Sequence, residues 1–451
     1  MIKLPLITHP SLAHTVAWRQ GEAISAEKFL GDVVQLAAML PAGRYMLNIC
    51  RDRYHFAVGL AAAIVSGKVS LLPPTHTPEM VNQLKSGYPD VFCLHDNEHC
   101  ETALPRLCYP DFSPQHPVSI AVPQIDSQQL VAIVFTSGST GSPLPHGKSW
   151  GSLVQNVQAQ AALLGLLPEN EYSIVGTVPP QHMYGLESTL LLAWQSANAF
   201  SHAQPFYPAD ICDAVAAVKA PRILVSTPLH LRLLLESELE LPSLDLVLSA
   251  TAPLSAQLAN KSESTFAAPL KEIYGSTETG QIAMRRPTQS LHWKLFPEVQ
   301  LTALVDGVWA SGGHVESATM LNDVIEVVTE DRFLLHGRLQ DLINIAGKRS
   351  SLANLDYHLN SIPGVLDGAF FMPDETSHDH VTRLCACVVA PDMTSRSVMT
   401  ALRQRVDPVF LPRPLLFFDE LPRNSTGKLP REALRKLIET HSNELTLNSP
   451  A

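Results

Sequence analysis

The sequence contains no C-x-x-C pair, and its seven cysteines are scattered along 451 residues. An odd number without close pairing supplies neither a disulfide framework nor a zinc ribbon, so reduced thiols and a cytoplasmic setting are expected. Positive charge is also scarce: 32 Lys and Arg stand against 43 Asp and Glu, a net charge of −11. A surface of that sign repels a phosphate backbone, which argues against general nucleic-acid binding and leaves any anionic substrate to be held by local donors. No apolar run reaches the roughly 20 residues of a membrane span. The most apolar stretch, Phe56–Ile64, is closed by Ser66, Gly67 and Lys68 and reads as a buried helix, and Met1–Pro10 lacks the long apolar centre of an export signal.

What is present is apolar material for a sizeable core, 45% of the residues. Met46–Cys50 reads as a buried strand and His55–Ser66 as the helix after it, the opening of an α/β rhythm. Further buried strands are expected at Leu130–Phe135, Ile174–Val178, Ile223–Ser226 and Leu244–Ser249. Between Leu104 and Gln124 five prolines predict an irregular connector. Beyond Gly337 the pattern changes: helices over Leu352–Asn360 and Ser397–Val406 alternate with strands over Gly368–Met372 and Leu384–Val389, a small α+β unit.

Three segments carry chemistry. Thr136-Ser137-Gly138-Ser139-Thr140-Gly141 directly follows a buried strand, and its glycines and small hydroxyls let backbone N–H groups approach a polyphosphate closely. A Walker-type reading of Gly141–Ser149 fails on spacing, since five residues rather than four separate Gly141 from Gly147, and Pro143 and Pro145 remove N–H donors. Tyr274-Gly275-Ser276-Thr277-Glu278 offers a ring to stack on a purine, a hydroxyl for phosphate and a carboxylate for Mg²⁺. Near the C-terminus, Leu421–Arg431 is a proline-bounded loop presenting Lys428 beside Gly427, a charge suited to a phosphoryl oxygen.

These segments, with His336-Gly337-Arg338-Leu339-Gln340-Asp341 between the last two, resemble in kind and order the adenylate-forming superfamily of acyl-CoA synthetases, adenylation domains and luciferases. The resemblance covers most of the chain. It implies a large N-terminal α/β domain with mixed sheets over residues 1–337, a hinge at 338–341 and a small mobile α+β domain over 342–451. It further implies that Thr136 to Gly141 embrace the ATP phosphates, that Tyr274, Gly275, Ser276 and Thr277 line the nucleotide site, and that Glu278 binds Mg²⁺. Arg338 and Asp323 inherit ribose contacts, Lys428 the adenylation step, Gln340 the hinge and Gly347 the thiol route. Pro180–Gly185 resembles the acyl-site motif, placing His182, Tyr184 and Gly185 at the acid, with Ala250 and Thr251 as the opposite wall.

The implied reaction joins a carboxylic acid to ATP, releases pyrophosphate and transfers the acyl group to coenzyme A or to the phosphopantetheine of an acyl carrier protein. Several positions depart from the family pattern. Leu144 stands where a lysine normally follows Pro143, leaving Lys148 as the nearest substitute, and Ser249-Ala250-Thr251-Ala252-Pro253 replaces a wall with two glycines. The added volume points to a compact aryl or hydroxyaryl acid, with a short or medium-chain fatty acid as the alternative. An amine-bearing substrate is disfavoured, because Glu187 is the only acid between Ile174 and Ala193. A non-catalytic binding module is the rival of another class; Glu278, Arg338 and Lys428 argue against it. His95-Asp96-Asn97-Glu98-His99 matches a zinc-peptidase spacing but lacks the amphipathic helix that chemistry needs, and is expected to be a surface loop.

Overall fold

Tyr45–Asn48 (β1) leads into a helix, Arg53–Val65 (α1), and the chain continues through Val69–Leu72 (β2), Phe92–His95 (β3), Arg106–Cys108 (β4), Leu130–Ser137 (β5) and Pro143–Ser149 (β6). The computed structural model describes residues 2–97, 99–112, 120–137, 143–166, 170–338, 342–345, 348–372, 384–424, 427, 429–430, 432–438 and 440. In it these strands form one sheet in the order β6-β5-β2-β1-β3-β4. All pairs are parallel except β5 with β6, an antiparallel hairpin. Asp52 caps α1 by accepting the N–H groups of Tyr54 and His55, and the helix is buried along almost its whole length.

One feature of this sheet differs from the sequence reading. Within the proline-rich connector, Arg106–Cys108 still adds a strand to β3, because Pro105 lies outside it and offers its carbonyl to the Cys93 N–H at 2.8 Å. Segment 143–149 is a strand despite Pro143 and Pro145. As β6 lies at the sheet edge, it has an open side on which missing N–H donors break no ladder.

The second sheet has eleven strands. At its centre Ser173–Gly176 (β7), Arg222–Ser226 (β8), Leu246–Ser249 (β9) and Leu270–Ser276 (β10) run parallel, and Gly280–Arg285 (β11) turns back antiparallel to β10. The sheet continues through Trp293–Leu295 (β12), with Asp323–Thr329 (β13) and Arg332–Arg338 (β14) closing that side in the order β12-β14-β13. Ile174, Ile223, Val225, Leu246, Leu248 and Ile273 face the core shared with α1 and with Trp150–Leu164 (α2). Val175, Leu224, Val247 and Leu270 face the other way, against Leu231, Leu234 and Leu235 of Pro228–Glu236 (α3). Burial on both faces is why these strands read as continuous apolar runs.

A separate cluster runs from Ile343 to Phe410, including Leu355, Leu359, Phe370, Val388 and Leu402. It fills the space between Leu352–Asn360 (α4), Ser395–Arg403 (α5) and a sheet of Asp367–Phe371 (β15), Cys385–Val389 (β16) and Leu415–Phe417 (β17). The architecture is mixed α/β with mixed sheets. Among the described residues no helix is long and apolar enough to cross a membrane.

Candidate active site

Two hairpins from different sheets meet here. In the first, β5 carries Thr136 and β6 returns with His146 and Lys148; in the second, Thr277, Glu278 and Thr279 form the turn between β10 and β11. That turn is held from within, as the Ser276 and Thr279 main-chain N–H groups each donate to the other residue's hydroxyl, at 3.3 and 3.2 Å. Gly275 is required by close approach: a Cβ there would stand 2.2 Å from the Gly280 carbonyl oxygen. The hairpins are joined by Lys148, whose Nζ donates to the Glu278 main-chain oxygen at 3.0 Å. His146 bridges them a second time, with Nε2 3.0 Å from the Thr136 hydroxyl and 3.6 Å from Glu278 Oε1. Gly138, Ser139, Thr140 and Gly141, with the Ser137 side chain, lie outside the described residues.

Lys148 is only 6% exposed. Burial lowers its pKa, while the carboxylates of Glu187, Glu316 and Glu278 act in the opposite direction. Glu187 faces it from a π-helical turn, Leu186–Leu191, and burial raises its carboxyl to about 8, opposed by Lys148 and by a hydrogen bond with Gln281. Lys148 is therefore a buried tie between strand and turn.

Tyr274 lies against Trp293 and Phe333, with ring centroids 5.6 Å away in each case. Its hydroxyl donates to Asp323 Oδ2 at 2.6 Å, and Asp323 pairs with Arg338 in the β13–β14 register. The two positions assigned to ribose thus lie side by side, next to the ring assigned to adenine. The Arg338 side chain is outside the described residues.

The acid side is built by packing. At the end of β7 the chain turns through Val178-Pro179-Pro180-Gln181, and His182 stands at the start of the short helix Met183–Gly185. Arg53 enters this turn from α1. It is fully buried, and its Nη2 donates to the carbonyls of Gly176 and Val178, both at 2.9 Å. Burial lowers its pKa to about 9, with Asp52 opposing. Glycine is needed at 176, where a Cβ would lie 2.6 Å from Arg53 Nη1, and at 185, where it would lie 2.1 Å from the Pro179 oxygen. Tyr184 is buried, which pushes its phenol well above the usual range, and the Ser226 main chain acts in the opposite direction. Ala250, just beyond β9, is buried, and Thr251 holds φ = +80°. For a β-branched residue that left-handed backbone is strained.

Gly427, next to Lys428 in sequence, reaches this neighbourhood from the C-terminal portion: a Cβ on it would lie 3.3 Å from Leu229 Cβ and 3.5 Å from the Thr227 hydroxyl. Behind it Arg423 donates to both oxygens of Asp367 at 2.7 Å and to the Gly427 carbonyl at 2.9 Å. Arg232 of α3 lies 3.7 Å from the same carboxylate and also donates to the Leu366 carbonyl. Lys428, Gln340 and Gly347 lie outside the described residues.

Residues 44–303 match the AMP-binding enzyme family. The chain belongs to it. It is 30% identical over 316 residues to a 4-coumarate–CoA ligase of Halorhodospira halophila, spanning 67% of this chain and 76% of that one. It is 24% identical over 371 residues to a 3-hydroxybenzoate/4-hydroxybenzoate–CoA ligase of Thauera aromatica, spanning 70% and 68% respectively. In fold it superimposes on o-succinylbenzoate CoA synthetase of Bacillus subtilis in complex with its acyl-adenylate, with TM-score 0.81, 17% identity and coverage of 97% and 99%. ATP-bound MatB of Rhodopseudomonas palustris gives TM-score 0.80 at 17% identity, covering 96% and 97%. As a member of this AMP-binding family, the protein is an acid–thiol ligase of the acyl-CoA synthetase type.

Within that family frame Glu278 fits a magnesium ion shared with phosphate. Its side chain is 37% exposed at a turn whose main chain is fixed. Among the described residues no group of three or more His, Cys, Asp or Glu side chains makes a protein cage, and Mg²⁺ ordinarily takes one or two carboxylates plus substrate oxygens. Sequence reasoning passed over His146 and Arg53. The former was hidden because Pro143 and Pro145 mask any strand signal over 143–149; the latter gave no signal, since an arginine at a helix start is ordinarily solvated. The His95–His99 segment is not wholly a surface loop: His95 ends β3, is buried, and its Nδ1 lies 2.9 Å from the Asn97 carbonyl oxygen.

Proposed function

We propose that this enzyme activates a compact aryl or hydroxyaryl carboxylic acid with ATP and transfers the acyl group to the thiol of coenzyme A. The observation that carries the reading is the meeting of Thr136, His146 and Glu278 at one point, with Tyr274, bonded to Asp323, on the strand that leads to Glu278. The names of the relatives support the aryl class, as does the wall of Ala250 and Thr251 in place of glycines.

The acid lies between His182, Tyr184 and that wall, with its carboxylate toward the phosphates. One carboxylate oxygen attacks the α-phosphorus, the new O–P bond replaces the bond to pyrophosphate, and the acyl-adenylate is held by Tyr274, Asp323 and Arg338. Mg²⁺, when bound, offsets charge on the phosphate oxygens, with Glu278 as its protein ligand. Thr136 to Gly141 supply donors, and Lys428 neutralises charge at the α-phosphate. The portion from 342 onward then turns about Gln340, withdrawing Lys428 and opening the Gly347 side to the thiol, whose sulfur displaces AMP.

Chromatography of nucleotides after incubation with 4-coumarate, 4-hydroxybenzoate, benzoate and octanoate tests this. Acid-dependent AMP and pyrophosphate are expected, with an aryl acid preferred at least about tenfold, the discrimination a shaped apolar pocket supplies. ADP and orthophosphate as the acid-dependent products would sink the adenylation reading. Preference for octanoate would sink the aryl one.

A further inference from the structure

We infer that His146 donates a hydrogen bond to an ATP phosphate oxygen, filling the role left open by the leucine at position 144. This rests on the ATP-dependent reading above and concerns which side chain of β6 reaches the nucleotide.

The register places the candidates in a row. Leu144 pairs with Thr136, His146 with Val134 and Lys148 with Ala132, so alternate residues of β6 share the face on which Thr136 lies. Leu144, at the open end, is 54% exposed and has no polar atom to offer. Lys148, at the closed end, is buried and committed to the Glu278 carbonyl, with Glu187 and Glu316 also close enough to influence it. Drawing it out to a phosphate would break the tie that holds the metal-binding turn. His146 stands between them, with its side chain 23% exposed. Its Nε2 touches the hydroxyl assigned to phosphate and lies 3.6 Å from the carboxylate assigned to magnesium. A phosphate oxygen entering between Thr136 and Glu278 meets that nitrogen.

The substitution changes the chemistry. A lysine at 144 would bring a flexible point charge from the rim; an imidazole brings a directional donor on a short stem, held by the strand. Division of labour follows: Lys148 fixes where Glu278 sits, and His146 contacts the ligand.

Calorimetric titration of MgATP without acid tests the assignment in wild type, His146→Ala, and the double variant Leu144→Lys/His146→Ala. A donor to a charged group sets the scale: His146→Ala should weaken ATP binding about tenfold or more. The acid KM should stay within about twofold of wild type, and Leu144→Lys should restore most of the lost affinity. Independently, MgATP should slow diethylpyrocarbonate modification of His146 in the wild-type enzyme, followed on the peptide by mass spectrometry. Unchanged ATP affinity in folded His146→Ala overturns the inference, as does a loss that Leu144→Lys fails to repair. If the alanine variant does not fold, the footprint decides, and equal modification with and without MgATP is the negative result. Failure of the wild type to form AMP from any acid would count against the reaction proposed above and leave these binding measurements standing.

Discussion

The nucleotide side and the acid side are held by different means. Around Thr136, Glu278 and Tyr274 the geometry is set by hydrogen bonds of side chains with one another and with turn backbone, at 2.6–3.3 Å. Around His182 and Tyr184 it is set by close packing: two glycines with no room for a Cβ, a buried guanidinium on two carbonyls, and a threonine with left-handed backbone. The polar side can keep one chemistry because phosphate and magnesium do not vary. The packed side can be reshaped by changing volume at single positions, which is where differences among acid ligases would arise.

Substitutions on the two sides should therefore fail differently. The largest effect is expected for Lys428→Ala, as this lysine is proposed to serve the first half-reaction only. Adenylation should fall by roughly 10²-fold or more, while thioester formation from presynthesised acyl-adenylate is largely kept. Measuring both half-reactions in the one variant checks this, and equal loss in both would remove the two-geometry scheme.

Next comes Arg53→Met, which leaves the Gly176 and Val178 carbonyls without their buried donor. A loss of about 1–3 kcal/mol in urea unfolding is expected. The acid KM should rise roughly tenfold while the ATP KM moves little, since Arg53 holds the turn before His182 rather than the hairpins of Thr136, His146 and Glu278. Arg53→Lys should recover part of both. Parallel rises in the two KM values would erase the contrast between the sides.

Glu187→Gln should change the pH dependence of stability. Burial raises the folded-state carboxyl from the ordinary 4.5 to about 8, so folding takes up a proton. Its contribution is fully present below about 4.5, is lost as pH rises toward 8, and is flat above. Gln does not titrate, so the variant should gain stability relative to wild type across that window, as read by unfolding at several pH values.

The smallest effect is expected for Thr251→Gly. Glycine adopts φ = +80° without a Cβ penalty, so stability should rise by about 1 kcal/mol despite the flexibility added to the unfolded chain. The pocket wall also recedes, and relative kcat/KM should shift toward bulkier acids. A thermal melt and a two-acid competition suffice.

This contrast also marks what the sequence made readable. Thr136, Tyr274 and Glu278 announce themselves because they stand at or just past the ends of apolar strand segments, and helix Leu352–Asn360 is found from its sequence pattern alone. The β6 strand is not readable, because Pro143 and Pro145 are tolerated only at a sheet edge, and edge position is a property of the assembled sheet. His146 depends on that strand's register. Arg53 depends on two elements more than 100 residues apart in sequence meeting at one turn. The absent glycine at 251 was visible in the chain, but the strain it creates is a matter of φ, which residue identity does not carry.

Asp367 bears on the proposed turn of the C-terminal portion. It grips Arg423 with both oxygens and shares its charge with Arg232 across the boundary between α3 and the C-terminal portion. In the turn proposed above, Asp367, Arg423 and Gly427 would move together and leave Arg232 behind, so the contact would act as a clutch with one releasable plate. At 3.7 Å, with side chains 22% and 14% exposed, the pair lies well inside a Debye length of about 8 Å and is screened only weakly by dissolved ions. In the two-geometry scheme proposed above, that grip would time the passage from adenylation to thioester formation largely independently of salt.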